Sequence, residues 1–244
     1  MSRELALASI SLSIRRLSEL QKEVAETQGR REALERLQEF QARRLAASYR
    51  DLSADRRYQA AVEFFLTDLY GPVAFEARDR EFQRASRLLG RMLPLGPLEA
   101  LARALALQAL TLDLDLRIAR QLASGPPLSS AEYRRAYRAC GDRPAREHQI
   151  ELVIAIARAL EHFVQQPSIE VLLRMAHLPA TLAGFGTLQS FLERGFSAFR
   201  RLEDSDAFIR RVEQRERAFM NELFAQPVAT QRPDATPAAA AGAQ

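Results

Sequence analysis

Apolar residues recur at helical spacing along most of this chain, and this pattern constrains the fold more than any other feature. Near the N-terminus, Ile10, Ile14, Leu17 and Val24 fall on one stripe, with charged residues opposite. Residues 112–116, Leu-Asp-Leu-Asp-Leu, alternate as a strand does. Their surroundings are rich in Ala and Leu, contain no β-branched cluster and keep leucines at helical spacing, so we predict a helix there as well. The whole pattern predicts an all-α fold.

Glycine and proline divide this helical pattern into segments. The N-terminal pattern predicts either two helices or one long helix with a weak point at Gly29. We predict breaks at Gly71–Pro72, at Gly125–Pro127 and at Gly141–Pro144, with Ser129 or Ser130 capping a short helix. One further predicted helix covers about residues 76–92. The result is a single bundle of about eight or nine helices over residues 1–225. Residues 226–244 are rich in Pro and Ala with almost no large apolar side chain, which predicts a disordered tail.

Few residues are of the types that carry catalysis or bind metals. The single Cys140 excludes an internal disulfide and a cysteine-rich metal site. His148 and His162 are fourteen residues apart on one predicted helix, about 21 Å along its axis, so they cannot share a metal. Asp113 and Asp115 point about 200° apart on a helix and do not form a carboxylate pair. We therefore expect no metal and no cofactor.

The absence of familiar motifs counts against two large classes of protein. No Walker loop, GxGxxG or GxSxG pattern occurs, so nucleotide-binding proteins and hydrolases of these types lose support. The net charge of +4 invites a nucleic-acid interpretation, but basic and acidic residues are mixed along most of the chain. This mixing argues against nucleic-acid binding, and the basic surface considered for it is a cluster of five arginines. These are Arg134, Arg135, Arg138, Arg143 and Arg146.

We expect a cytoplasmic protein without a membrane span. Charged residues interrupt the N-terminus before the apolar core of a signal peptide could form. The stretch from Met175 to Leu192 lacks charge apart from His177, but Pro179 and two glycines make it a poor membrane helix. This stretch is a buried connection, the wall of a ligand pocket or an oligomer contact.

The segment from Phe64 to Arg80 is the most informative part of the sequence. Asp68 lies four residues after Phe64, on the same apolar face, in the last turn of its predicted helix. The helix dipole disfavours a carboxylate there, so Asp68 needs a donor, which Arg78 or Arg80 could supply. One interpretation is a structural lock of charges and aromatic rings that fixes two helices across a corner. The other is the polar rim of a pocket, with Asp68, Tyr70 and Arg78 converging on a ligand.

If the corner is a pocket, its candidate ligand-binding residues are Asp68, Tyr70, Arg78, Asp79 and Phe185.

The same segment resembles an uncharacterised proteobacterial family of helical proteins whose pattern is close to FFLxDLYGPxDFxxRD. Ala74 stands where that family often has an acid, so no role is assigned to this position. A second similarity covers residues 191–200, followed by Arg215 and Glu216. The resemblance implies a bacterial all-helical domain and no known activity. The residues that match the first pattern are Phe64, Phe65, Leu66, Asp68, Leu69, Tyr70, Gly71, Pro72, Phe75, Arg78 and Asp79.

Two functional hypotheses follow from these patterns. The first is a non-enzymatic protein that binds a partner or itself, with the stripe of Ile10, Ile14 and Leu17 as its surface. The alternative is a helical-bundle enzyme or small-molecule carrier with a pocket at the corner of Asp68 and Arg78.

Overall fold

The computed structural model describes residues 1–69, 84, 93–123, 125 and 127–225. All regular structure in these residues is helical, which confirms the predicted all-α fold. The predicted helix at 76–92 and the predicted tail at 226–244 lie outside the described residues, apart from Arg84. The described part contains ten α-helices and a π-helical turn, Phe65–Leu69, that continues the fourth. The α-helices are α1 (Arg3–Ala25), α2 (Gln28–Ser48), α3 (Arg50–Ala54), α4 (Gln59–Phe64), α5 (Leu95–Ala119), α6 (Ser130–Cys140), α7 (Arg143–Val164), α8 (Pro167–Leu182), α9 (Gly186–Arg200) and α10 (Ser205–Ala225).

The first break in the chain lies slightly earlier than predicted. Helices α1 and α2 are separate, and the break is at Glu26 and Thr27, which flank the two helix ends. Gly29 lies inside the first turn of α2. The helix thus begins before its glycine, because one glycine near a helix end costs little.

Helix α5 is the central element of the first half of the molecule. It packs against α1, α2, α6 and α7. Leu98 and Leu105 on one side of the helix and Ile118 on the opposite side are fully buried. A helix that is apolar on two opposite sides must pack against neighbours on both.

The N-terminal stripe is part of this core. Ile10, Ile14 and Leu17 are buried and pack against the leucines of α5, including Leu98 and Leu105. The hypothesis that this stripe offers a binding surface is therefore wrong. An amphipathic stripe has the same sequence pattern whether it packs in the core or binds another molecule, and here α5 of the same chain covers it.

A second core joins α4, α7, α9 and α10. It is built around aromatic side chains, with Tyr58 stacked on Phe208 at 5.8 Å between ring centroids and Phe199 beside them. Helix α6 closes the remaining side, where Tyr133 and Tyr137 pack with residues of α2 and α10.

Local signals set the ends of α6 and α7 as the sequence predicts. The Ser129 side chain accepts a hydrogen bond from the Glu132 backbone, and the Glu132 carboxylate accepts one from the Ser129 backbone. Gly141 ends α6 with a positive φ of 66°. Asp142 then caps α7, and its side chain accepts from the Ala145 backbone.

A close approach of α9 to α4 depends on Gly195. Gly195 is buried, and a Cβ atom built there would lie 2.8 Å from Cζ of Phe64. The Phe64 ring is itself buried and lies 5.2 Å from the Phe191 ring, so it has little room to move. Only glycine allows this helix crossing without displacing the ring.

We expect Gly195→Ala to lower the free energy of unfolding by about 1–3 kcal/mol, because the added methyl group overpacks the contact with Phe64. Gly29→Ala is the matched control, since nothing lies within 4 Å of a Cβ at that helical position. It should leave stability unchanged or raise it by up to about 1 kcal/mol. Urea unfolding of the two variants measures both effects, and equal stability of the two would contradict the packing assigned to Gly195.

Candidate functional site

Most of the predicted corner site lies outside the described residues. Tyr70, Arg78 and Asp79 are not described, and of Asp68 only the backbone is, in the π-helical turn Phe65–Leu69. Phe185 is described and precedes α9, with the guanidinium of Arg84 5.7 Å from its ring centroid. The lock and the pocket at this corner both stay predictions.

A cavity of about 100 Å³ lies in the interior of the bundle. Side chains from α2, α4, α5, α6, α7 and α10 line it, together with Phe65 and Leu66 of the π-helical turn. Departures from α-helical hydrogen bonding of this kind occur often at functional sites. Part of its wall is apolar, and the opposite part is a connected set of polar side chains.

Hydrogen bonds join the polar side chains of three helices around this cavity. Gln41 Nε2 donates to Asp115 Oδ1 at 2.9 Å. Arg146 Nη1 donates to Gln149 Oε1 at 3.0 Å, and Gln149 Nε2 donates to Thr111 Oγ1 at 2.8 Å. Helices α2, α5 and α7 are therefore tied together by buried polar contacts that also face the cavity.

Asp115 is the most unusual of these groups. Its side chain is buried, whereas Asp113 lies near the surface and pairs with Arg16 and Arg117. The predicted opposite directions of the two carboxylates are thus seen. Burial raises the pKa of Asp115, against the opposing effects of the Arg146 charge and of the hydrogen bond from Gln41.

Arg146 is the buried cation of the site. Its side chain is only 7% exposed, and its guanidinium lies 4.6 Å from the centroid of the Tyr137 ring. Arg146 and Asp115 line the same cavity, yet these two described side chains form no direct ion pair. Among the described residues, no acceptor lies within hydrogen-bonding distance of Arg146 Nη2, which is shielded from solvent.

The position of Arg146 also corrects the arginine cluster considered for nucleic acid. Arg146 faces the interior, so it cannot contact a phosphate backbone. Arg134 is paired with Glu222 at 2.8 Å, and Arg143 with Glu147 at 2.8 Å. Three of the five arginines are therefore buried or paired with a carboxylate, which weakens the case for a basic face here.

Two tyrosines complete the polar wall. Tyr133 and Tyr137 of α6 have ring centroids 5.8 Å apart, and burial raises the pKa of both hydroxyl groups. Phe219 of α10 stacks on Tyr133 at 6.4 Å. These hydroxyl groups stay neutral at physiological pH and act as hydrogen-bonding groups.

An ion pair separates the cavity from a groove at the surface. Arg44 donates to both carboxylate oxygens of Glu216, at 2.9 and 3.2 Å, and Tyr49 donates to Glu216 Oε1 at 2.8 Å. The guanidinium of Arg44 lies 4.3 Å from the centroid of Phe219. Arg44, Glu216 and Phe219 line both the interior cavity and a groove of about 370 Å³ beside α2 and α10.

The histidines and the cysteine lie elsewhere. His148 and His162 share α7, as predicted, with His148 near Glu151 at 3.4 Å, and His177 contacts Glu193 at 2.9 Å. Cys140 is half-buried at the end of α6, and burial raises the pKa of its thiol. Within the part of the chain that the structure describes, no cluster of three or more His, Cys, Asp or Glu side chains could hold a metal ion.

A second feature is the outer face of α8. This helix contains no buried residue, and five large apolar side chains on it are more than half exposed. The interpretation of this stretch as a buried connection is therefore wrong for α8. The exposed side chains are Val171, Leu172, Met175, Leu178 and Leu182. Among the described helices, none is long and apolar enough to cross a membrane.

Comparison with known proteins identifies the family. Residues 20–230 match the family described as Domain of unknown function (DUF8198), and the chain belongs to it. The match includes all the helices from α2 to α10, and thus the interior cavity and α8. No curated protein and no solved structure matches the chain.

The sequence analysis missed the interior site, although a signal was present. Gln108, Thr111 and Asp115 are spaced by three and four residues, which makes a polar stripe on the otherwise apolar helix α5. Arg146 and Gln149 repeat the spacing of three on α7. Polar residues that recur at helical spacing on a core helix mark a polar interior.

We expect the stability difference between Asp115→Asn and the wild type to depend on pH. A raised pKa means that the folded wild type holds this proton more tightly than the unfolded chain. Its stability therefore falls as pH rises from about 4, the ordinary carboxyl pKa, through the raised pKa. The Asp115→Asn variant has no titrating group at this position, so it does not lose stability in this way. The free energy of unfolding of the variant minus that of the wild type should therefore increase with pH, by at most about 1.4 kcal/mol per pH unit.

Urea unfolding of both proteins between pH 4 and 8 measures this difference, and the titrations that the two proteins share cancel. Asp113→Asn serves as the control for loss of one negative charge near the surface. A difference that stays constant across this pH range would contradict a raised pKa at Asp115.

Proposed function

We propose that this protein binds a protein partner through the apolar face of α8. The observation that carries this function is the set of five exposed side chains Val171, Leu172, Met175, Leu178 and Leu182. The cytoplasmic, bacterial setting predicted from the sequence is part of the proposal. No catalytic step is proposed.

The five side chains form one continuous face. Their spacing follows i, i+1, i+4, i+7 and i+11, so they lie along one side of the helix over about 17 Å. Met175 is 72% exposed and Leu182 is 79% exposed. Single exposed leucines are ordinary in proteins, but a contiguous row on one helix is typical of a surface that another element covers.

The opposite side of α8 holds the helix on the rest of the molecule. Gln189 Nε2 of α9 donates to the Leu173 carbonyl at 2.7 Å, and His177 contacts Glu193 at 2.9 Å. Glu170 pairs with Arg200. The helix is thus anchored by polar contacts on one side, and its apolar side is left for a partner.

A partner helix suits this surface best. An apolar stripe with helical spacing matches a second amphipathic helix, whose own stripe can pack along it. A second copy of the chain and a different protein would both use the same face. The first gives a homo-oligomer and the second a complex of two chains.

We expect the double variant Met175→Glu, Leu178→Glu to lose its partner while keeping its fold. Both side chains are exposed, so the change should alter the free energy of unfolding by less than about 1 kcal/mol. Two buried carboxylates in an apolar interface would weaken binding strongly. Native mass spectrometry of the protein from its own host compares the two masses.

The control variant Gln59→Glu, Gln214→Glu adds the same charge at exposed polar positions. It should keep the mass of the wild-type complex. A photo-crosslinking residue at 175 should give a crosslinked product that the same residue at Glu35, exposed on α2, does not. Identical masses for wild type and the α8 variant, with no crosslink specific to 175, would contradict docking through α8.

The alternative hypothesis of a pocket at the corner of Asp68, Tyr70, Arg78, Asp79 and Phe185 stays a prediction. The variant Asp68→Asn distinguishes this pocket from the structural lock considered at the same corner. If the corner is a pocket, the variant should fold and lose a ligand, whereas if it is a lock, the variant should lose stability.

A further inference from the structure

We propose that the interior cavity binds a small monocarboxylate that carries a hydroxyl or ammonium group next to its carboxylate, that is, a small amino acid or its hydroxy analogue. The site is independent of the α8 face. Its defining groups are Arg146, which would bind the carboxylate, and Asp115, which would accept from the neighbouring group.

The guanidinium of Arg146 supplies the anion-binding half of this site. Arginine stays charged in proteins, so its burial requires acceptors for its N–H groups. Nη1 donates to Gln149, whereas no described residue accepts from Nη2. A buried charged donor without an acceptor costs free energy that an anionic oxygen in the cavity would recover. The Tyr137 ring beneath the guanidinium fixes its direction.

Asp115 supplies the second half. Gln41 donates to one of its oxygens, and Asp115 makes no ion pair with Arg146 across the cavity that both line. A buried carboxyl group that can accept a hydrogen bond and a buried cation face a common space without touching, which suits a ligand that carries a hydrogen-bond donor beside an anionic group. A carboxylate beside an ammonium or hydroxyl group provides that arrangement in very few atoms.

The size and the remaining wall of the cavity limit the rest of the ligand. A volume of about 100 Å³ is several times that needed for one water and approaches the 150 Å³ that holds benzene, which allows roughly six to eight non-hydrogen atoms. Val62, Ile150 and Ile154 line the apolar part, so a short aliphatic side chain fits there. Bulkier or doubly charged molecules do not fit this description.

The Arg44–Glu216 pair is the place where such a ligand would enter. These two side chains separate the cavity from the surface groove, and both are partly exposed. A rotation of either side chain into the groove would join the two spaces without moving a helix.

L-valine and its hydroxy analogue, 2-hydroxy-3-methylbutanoate, are the probes for this site. They share one shape and differ in the ammonium or hydroxyl group that would face Asp115. With the full chain, isothermal titration should show one-to-one binding of at least one probe, together with a rise in Tm. L-valinamide, which lacks the carboxylate, should bind roughly ten- to a hundredfold more weakly.

Arg146→Gln should abolish binding of both probes, whereas Arg174→Gln, at an exposed position on α8, should retain it. Val153→Phe tests the cavity while keeping both charged groups, because Val153 lines it and the larger ring occupies its volume. This variant should fold and fail to bind even where Arg146→Gln does not fold. The ligand site is overturned if neither probe binds the wild type at about 10 mM, roughly the weakest affinity that a Tm rise reports. It is also overturned if valinamide binds as well as valine, or if Val153→Phe binds like the wild type.

Discussion

Burial of two opposite sides of helix α5 is the constraint on which the rest of this structure depends. Leu98 and Leu105 on one side and Ile118 on the other are completely covered, and α1, α2, α6 and α7 provide the cover. The amphipathic stripe of α1 is buried by this contact, so Ile10, Ile14 and Leu17 are not available as an interaction surface. A helix of this kind fixes the arrangement of its neighbours, because each must present an apolar face to it. The later helices then assemble around a second, aromatic core.

The same central helix also carries the polar interior. Gln108, Thr111 and Asp115 place one polar stripe on α5, and α7 meets it with Arg146 and Gln149. Burial of such polar and charged groups costs free energy, because they lose favourable hydration that apolar residues of equal volume do not have. This chain nevertheless buries them, and Nη2 of Arg146 has no acceptor among the described residues. Stability alone gives no reason for this arrangement, whereas ligand binding does.

Sequence periodicity predicted the class of fold, the capping of α6 at Ser129 and the turn at Gly141, because these depend on residues close together along the chain. It could not predict which apolar faces meet. The stripe of Ile10 and the stripe of Met175 look alike in the sequence, yet α5 covers the first and the second is exposed. The interior site could not be predicted for a similar reason. Asp115 and Arg146 are distant in sequence, and only the packing of α5 on α7 brings them to one cavity.

The α8 face and the interior cavity differ in how closely they are connected to the core of the bundle. Helix α8 contacts the bundle on the side opposite its exposed apolar face, where Gln189 donates to the Leu173 carbonyl, so a partner on that face would not have to displace this contact. Side chains from six α-helices line the cavity, and a ligand there would add contacts between α2, α5 and α7, which Gln41, Thr111 and Gln149 already join by hydrogen bonds. A ligand inside would therefore stabilise the bundle as a whole.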